Sequence, residues 1–313
     1  MKDNEKIVIA LGGNALLRKD DPRTFEIQLK RAEEAMELIG SYFDEYKIVL
    51  THGNGPQVGD IVLMNESSLS SVPRYPLDSL VAMSQGLIGY ILLQSYWNVK
   101  VKLNLKKDAV AIITRTLIDI NDPANTKPSK PIGPFYSQEE AEKLEHEKGW
   151  VMKEEGTKGW RRVVPSPYPL KILEANIINE LLDLGYIPIA VGGGGIPVYV
   201  SNSKLAGFEG VIDKDLASAV LAISIGADKL VILTDVDYVY LNYGKPNQEP
   251  LKEISAKKLR ELLDKGYFPE GSMGPKVRAA ILFVENTGKT AIISSLERAR
   301  ESIDEKFGTI VYP

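Results

Sequence analysis

Two lysines stand where a helix does not favour them. Lys214 in VIDKDLAS and Lys276 in GSMGPKV both fall in the first turn of a predicted helix. Positive charge there costs roughly 0.3–1 kcal/mol against the helix dipole. An anion held between the helix end and the ammonium group reverses that sign. A lone case reads as a solvated side chain, but two cases beside Gly-rich or acidic turns point to a bound anion. Asp215, next to Lys214, can orient the ammonium groups or act simply as a favourable first-turn acid. Lys130, in KPSKPIGPFY, is locked between prolines with Gly133 and aromatic residues following. A stiff loop presents a point charge well, although alone this is an exposed loop lysine.

Three apolar runs end in bare backbone: IALGGNAL (9–16, with Gly12, Gly13 and Asn14), IVLTHGNGPQVG (48–59, with Gly53, Asn54 and Gly55) and IPIAVGGGGIP (187–197). Without a Cβ, several N–H groups can converge closely on an anion. In open parallel sheets the ligand crevice lies beyond the carboxyl ends of the strands, where all three loops are predicted to sit. Any one of them could be a tight turn; three together favour a phosphate or carboxylate site. There is no G-x-x-x-x-G-K-[ST], no G-x-G-x-x-G in register, and no H-R-D or D-F-G set. The stretch LVILTDVDYVYLNYG (230–244) ends a strand in Thr234, Asp235 and Asp237, followed by tyrosines. Its acids could hold Mg²⁺ or cap turns, and Tyr238 and Tyr240 could flank a base or pack. His52 reads as structural, and His146 as part of a solvated helix face.

The elements that position these groups follow from periodicity. Strands are predicted at 6–11, 47–51, 109–114, 186–191, 229–234 and 290–294. Helices are predicted near 24–40, 78–97, 137–148, 170–183, 214–225 and 255–265, with a last one opening at GSMGPKVRAAILFV. Asp213 is the expected N-cap of 214–225, and Pro275 the expected first residue of the last helix. Strand–helix alternation implies a mainly parallel sheet covered on both faces. Residues 121–168 carry Pro123, Pro128, Pro131, Pro134, Pro165 and Pro167. Such a stretch is poor at extending a sheet and reads as an excursion or lid. The helix at 78–97 is apolar almost all round, suiting either a subunit interface or burial.

Bulk properties narrow the classes. The 313 residues are 44% hydrophobic and 26% charged, with a net charge of -4, so no nucleic-acid partner is expected. With no cysteine and two histidines, disulfides, thiol catalysis and multi-histidine zinc sites drop out. No run of about 20 unbroken apolar residues occurs, and MKDNE does not lead into a secretory segment. A cytoplasmic protein with no membrane partner is the expectation.

Taken in order, IVIALGGNAL, THGNGPQVG, PLDSLVAMSQGLIGY, KPIGPFY, KGWRRVVPSP, GGGGIPV, VIDKDLAS, LTDVDYVYLNYG and GSMGPKV resemble the carbamate kinases of the amino acid kinase superfamily. The resemblance implies a three-layer α-β-α sandwich around an open, mainly parallel sheet. It implies one domain over 1–313 with a protruding subdomain at 121–167, and a homodimer. It further implies reversible phosphoryl transfer between ATP and carbamate, giving ADP and carbamoyl phosphate, with Mg²⁺ carried on the nucleotide. The family's lysine on the protruding subdomain falls on Lys130, its lysine–aspartate pair on Lys214 and Asp215, and its nucleotide-side lysine on Lys276. Gly12, Gly13, Asn14, Gly53, Asn54 and Gly55 fall near the transferred phosphoryl group. Thr234, Asp235, Tyr238, Met273 and Gly274 fall on the nucleotide side, and no protein metal ligand is implied. One departure stands out. Where the family reads D-P-A-F-x-N-P-T-K-P, this chain has DPANTKPSKP, with Asn125 for the aromatic residue and Lys127 for the asparagine. Spacing to Lys130 is kept, so the change bears on packing and closure of the subdomain. The rival readings are a sister kinase acting on another small acid and a non-catalytic nucleotide or anion sensor. A dinucleotide oxidoreductase is more distant.

Overall fold

Short apolar runs closed by glycine or a polar residue become the central strands. The computed structural model describes residues 4–18, 20–68 and 71–313. Strands Lys6–Leu11, Lys47–His52 and Lys229–Thr234 are buried almost end to end, as unbroken apolar runs in a parallel sheet must be. They form the middle of an eight-stranded sheet. Its order is Glu253–Ser255, Thr309–Tyr312, Thr290–Ser295, Lys229–Thr234, Lys6–Leu11, Lys47–His52, Ile187–Ala190, Ala109–Ala111. Its pairs are parallel apart from Thr290–Ser295 with Thr309–Tyr312. Leu11 stands opposite both His52 and Leu233, and Thr51 opposite Ala190. The turns after these four strands therefore open at one edge.

Alternation along each strand divides the side chains between two helix layers. Ile7, Ile9 and Leu11 pack with helices Phe25–Ile39 and Leu77–Leu103. Val8 and Ala10 pack with Lys214–Ser224 and Met273–Thr287. The result is the expected α-β-α sandwich. Helix Leu77–Leu103 is long and apolar enough to cross a membrane by composition, yet half of its most apolar window is buried inside the chain. Met83, Tyr90, Trp97 and Val101 remain exposed along it.

Several local expectations change. Predicted helix 170–183 starts only at Ala175; Lys171–Ile172 instead pairs antiparallel with Arg115–Leu117. The strand predicted to reach 114 stops at Ala111. Pro275 is the third residue of its helix rather than the first, still within the turn whose N–H groups lack partners. The Pro-rich stretch builds a sheet of its own: Lys130–Tyr136, Trp160–Val164 and Val151–Glu154 in that order, with helix Gln138–Lys148. Pro131 and Pro134 lie on its edge strand, where a missing N–H costs no ladder bond. Helix Gly55–Ser67 is not anticipated from the sequence. It rests against this sheet so closely that a Cβ on Gly59 would lie 2.7 Å from the Gly133 Cα.

Candidate active site

The helix Lys214–Ser224 begins at the edge where the strand ends converge. Asp213 caps it, one carboxylate oxygen accepting from the N–H groups of Asp215 (2.9 Å) and Leu216 (3.2 Å). The other oxygen accepts from Lys130 Nζ at 2.7 Å. The excursion's lysine is thus tied to the head of this helix. Asp215, 3% exposed, bonds the Lys214 ammonium through one oxygen and Lys276 Nζ at 3.2 Å through the other. Three ammonium groups therefore surround two carboxylates. One positive charge in this cluster is uncompensated, which favours an anion.

The titration behaviour has the same origin. Burial opposes ionisation of Asp215, but Lys214 and Lys276 outweigh it and hold its carboxyl well below the usual range. Burial pushes the Lys214 ammonium below its ordinary value; Asp215 offsets part of this and Lys276 adds to it. Lys276 also pays for burial, yet Asp215 and Asp213 hold it above its ordinary value. Lys214 is the member of the cluster that most needs a further negative neighbour.

Three cavities meet here. A cavity of about 250 Å³ is lined by Gly13, Gly53, Asn54, Gly55, Lys130, Gly193, Lys214, Asp215 and Lys276 among others. A smaller one, about 150 Å³, holds Thr234, Asp235, Tyr240, Tyr243, Phe268 and Met273, and shares Ser272 and Lys276 with the first. A cleft of about 1210 Å³ runs between the excursion and the body, with Arg18, Arg23, Lys153, Arg161 and Arg278 on its walls. The geometry suits a flat apolar group at one end, a polyanion over the lysines, and an acceptor entering beside Lys130.

A profile of the Amino acid kinase family matches residues 5–295. The chain belongs to that family. It is 50% identical to the carbamate kinase of Thermoplasma acidophilum over 306 residues, covering 98% of this chain and 99% of the relative. It is 46% identical to that of Pyrococcus horikoshii over 312 residues, 99% of each. Among solved structures, carbamate kinase from Giardia lamblia bound to AMP-PNP superposes with a TM-score of 0.92 at 43% identity, over 100% of this chain and 99% of that one. The isopentenyl phosphate kinase of T. acidophilum, with a TM-score of 0.52 at 13% identity, shares the fold alone.

In this amino acid kinase chain, Lys130, Lys214, Asp215 and Lys276 lie together, with Gly13, Gly53, Asn54 and Gly55 on the same cavity. Asn14 lies in the 3-10 turn Gly13–Ala15; its side chain is outside the described residues. Thr234, Asp235 and Met273 line the smaller cavity. Gly12, Gly274 and Tyr238 are not among the residues lining these cavities. A Cβ on Gly12 would fall 2.7 Å from Leu233 O, and one on Gly274 would fall 3.1 Å from Pro269 O. Tyr238 packs on Phe307 with ring centroids 4.9 Å apart. Asp237 accepts the Ser295 hydroxyl at 2.5 Å, a turn contact.

The bareness of the third glycine loop has a packing cause. Of its four glycines, Gly193 reaches the 250 Å³ cavity. The loop is bare because its neighbours need the space: a Cβ would meet the His52 ring at 2.6 Å from Gly192, and the Asn54 amide at 2.2 Å from Gly193. Gly193 also has φ +63. His52 is structural, buried with Nδ1 2.9 Å from its neighbour's carbonyl Gly53 O, and burial lowers it to about 4. Sequence reasoning missed Asp213 as the partner of Lys130, although its place before Lys214 marked it as a cap. It also missed Phe268, which no motif signals, and did not single out Tyr243, although that residue lies within LVILTDVDYVYLNYG.

Proposed function

We propose that the chain transfers a phosphoryl group reversibly between ATP and carbamate, giving ADP and carbamoyl phosphate. The observation that carries this reading is the cluster of Lys130, Lys214 and Lys276 around Asp213 and Asp215, set between an apolar cavity and the cleft under the excursion. The adenine enters the 150 Å³ cavity among Tyr240, Tyr243, Phe268 and Met273. Lys276, common to both cavities, holds the nucleotide's phosphates. Lys214 takes the transferred group as its charge spreads over the equatorial oxygens, with the N–H groups of the Gly13 and Gly53–Gly55 turns fixing direction. Lys130 exchanges Asp213 for the incoming acceptor and screens one anion from the other.

Carbamate already carries a nucleophilic oxygen, so no general base is required. Buried His52 need not take part. Asp213 and Asp215 are occupied by lysines, while Asp235 accepts from the Thr234 hydroxyl at 3.0 Å on the nucleotide side. That donor set suits a Mg²⁺ that keeps its waters and travels on the phosphates, where it would neutralise part of their charge. Residues 121–167 act as a lid within one domain, keeping water from carbamoyl phosphate. Met83, Tyr90, Trp97 and Val101 offer an apolar face to a second copy in a cytoplasmic homodimer.

The test is ATP formation from ADP and carbamoyl phosphate, run beside acetyl phosphate and amino-acid acyl phosphates. Preference for carbamoyl phosphate by at least about tenfold in kcat/KM is expected, one extra hydrogen-bonded group being worth that much. Equal or better turnover of another acyl phosphate would assign the chain to a different acceptor. Tight ADP binding without turnover would make it a sensor.

A further inference from the structure

Asn54 stands at the head of helix Gly55–Ser67, where an asparagine commonly turns its side chain onto the helix's own first N–H groups. Here it makes no such bond. Its Nδ2 donates to the Ser84 hydroxyl at 2.8 Å, and Ser84 donates its own proton to Val81 O at 2.6 Å. With that proton committed, Ser84 meets Asn54 as an acceptor, which fixes the orientation of the amide. The amide is backed closely by Gly193, where a methyl group would fall 2.2 Å from Nδ2 and 2.6 Å from Oδ1. Gln85, next on the same helix, pins that turn: it donates to Gly192 O (2.9 Å) and Thr114 O (3.0 Å) and accepts from Thr114 N (2.8 Å). Ser84, Gln85 and Asn54 are all buried.

The second helix residue is Pro56, which has no N–H. An Asn54 side chain left to cap its helix would therefore take the N–H of Gln57, which lines the lysine cavity with Gly55. We propose, on the reading of the site given above, that Ser84 is a positioning residue for phosphoryl transfer. It draws the Asn54 side chain away from its own helix and leaves the N–H of Gln57, beside that of Gly55, free for the transferred phosphoryl group.

The test uses the full-length protein and the variants Ser84→Ala, Ser84→Thr, Asn54→Ala and the Ser84→Ala/Asn54→Ala double. ATP formation is measured against carbamoyl phosphate and ADP separately, and binding of inorganic phosphate is followed by thermal shift. Ser84→Ala is expected to lower kcat/KM for carbamoyl phosphate about tenfold, the scale of one lost buried hydrogen bond. KM for ADP should stay within about twofold, and Ser84→Thr, which keeps the hydroxyl, should recover most of the loss. In the Asn54→Ala background the Ser84 change should add nothing, because the two act as a unit. The inference is overturned if Ser84→Ala behaves as wild type, if it weakens ADP and carbamoyl phosphate alike, or if the two changes multiply in the double variant. The phosphate titration decides Ser84 independently. Weaker phosphate binding in Ser84→Ala supports the inference even where the wild type makes no ATP, an outcome that removes only the assigned reaction.

Discussion

Replacing Asp215 by Asn keeps its shape and removes one charge from the middle of the lysine cluster. Asp215 is 3% exposed, with Lys276 Nζ at 3.2 Å and Lys214 in direct contact. At an effective dielectric of about 20, a pair at that separation attracts by about 5 kcal/mol. Loss of two such pairs is offset by no longer burying a carboxylate, so the net cost is set by the cations left behind. Removing one partner of a buried pair typically costs about 3–5 kcal/mol, and that is the stability loss expected in urea unfolding at pH 7. Lys214, already pushed down by burial, loses the neighbour that offsets it. In the wild type, kcat/KM should fall on the alkaline side as this ammonium loses its proton. In Asp215→Asn that fall should begin closer to neutrality. ADP with inorganic phosphate should restore part of the stability, because the added anions supply the missing negative charge. An alkaline limb that does not move, together with a stability loss under about 1 kcal/mol, would refute the electrostatic account of the cluster.

Other outcomes follow from the same geometry. Lys214→Ala and Lys276→Ala should each lower kcat at least about 10²-fold, as loss of one transition-state donor does; near-normal turnover in either removes it from the chemistry. Lys130→Ala should reduce use of carbamoyl phosphate far more than it weakens ADP, and equal loss in a nucleotide titration contradicts its placement on the acceptor side. His52 is held neutral down to about 4 against an ordinary 6.5. The unfolded chain therefore takes up a proton first as pH falls, and stability should drop by about 3 kcal/mol between pH 6.5 and 4. Urea unfolding of His52→Gln should show a drop smaller by about that amount. Gly193→Ala, with φ +63 and the Asn54 amide 2.2 Å away, should cost about 2–4 kcal/mol by strain and overpacking, read by the same unfolding assay.

What could be read from the chain depended on how local the cause was. Lys214 and Lys276 are conspicuous because the conflict with a helix dipole lies within one turn of each. The central strands and the two helix layers follow from periodicity. The third glycine loop is opaque because the reason for its bareness lies in His52, Asn54 and Thr116, far away in sequence. Helix Gly55–Ser67 is hidden by two glycines and a proline, and packing on Gly133 supplies what propensity does not. The prolines of the excursion argue correctly against a central strand, but an edge strand tolerates them. Asn125, in the segment that departs from the family pattern, donates to the carbonyls of Asp119 (3.0 Å) and Ile120 (2.9 Å). These two bonds give the loop a polar anchor.

The excursion leaves the body at Arg115–Leu117 and returns at Lys171–Ile172, and these strands lie side by side, Thr116 opposite Ile172 and Leu117 opposite Lys171. Backbone bonds from Leu170 and Leu173 close the same junction at 2.9 and 3.0 Å. Because the two stems are clamped together before the appendage begins, closure entropy grows only slowly with the number of residues spanned, while the packing of Gly133 on Gly59 and the Lys130–Asp213 bond tie the appendage to the body. Residues inserted between the stems should therefore cost little at the junction itself, so long as those two ties are kept.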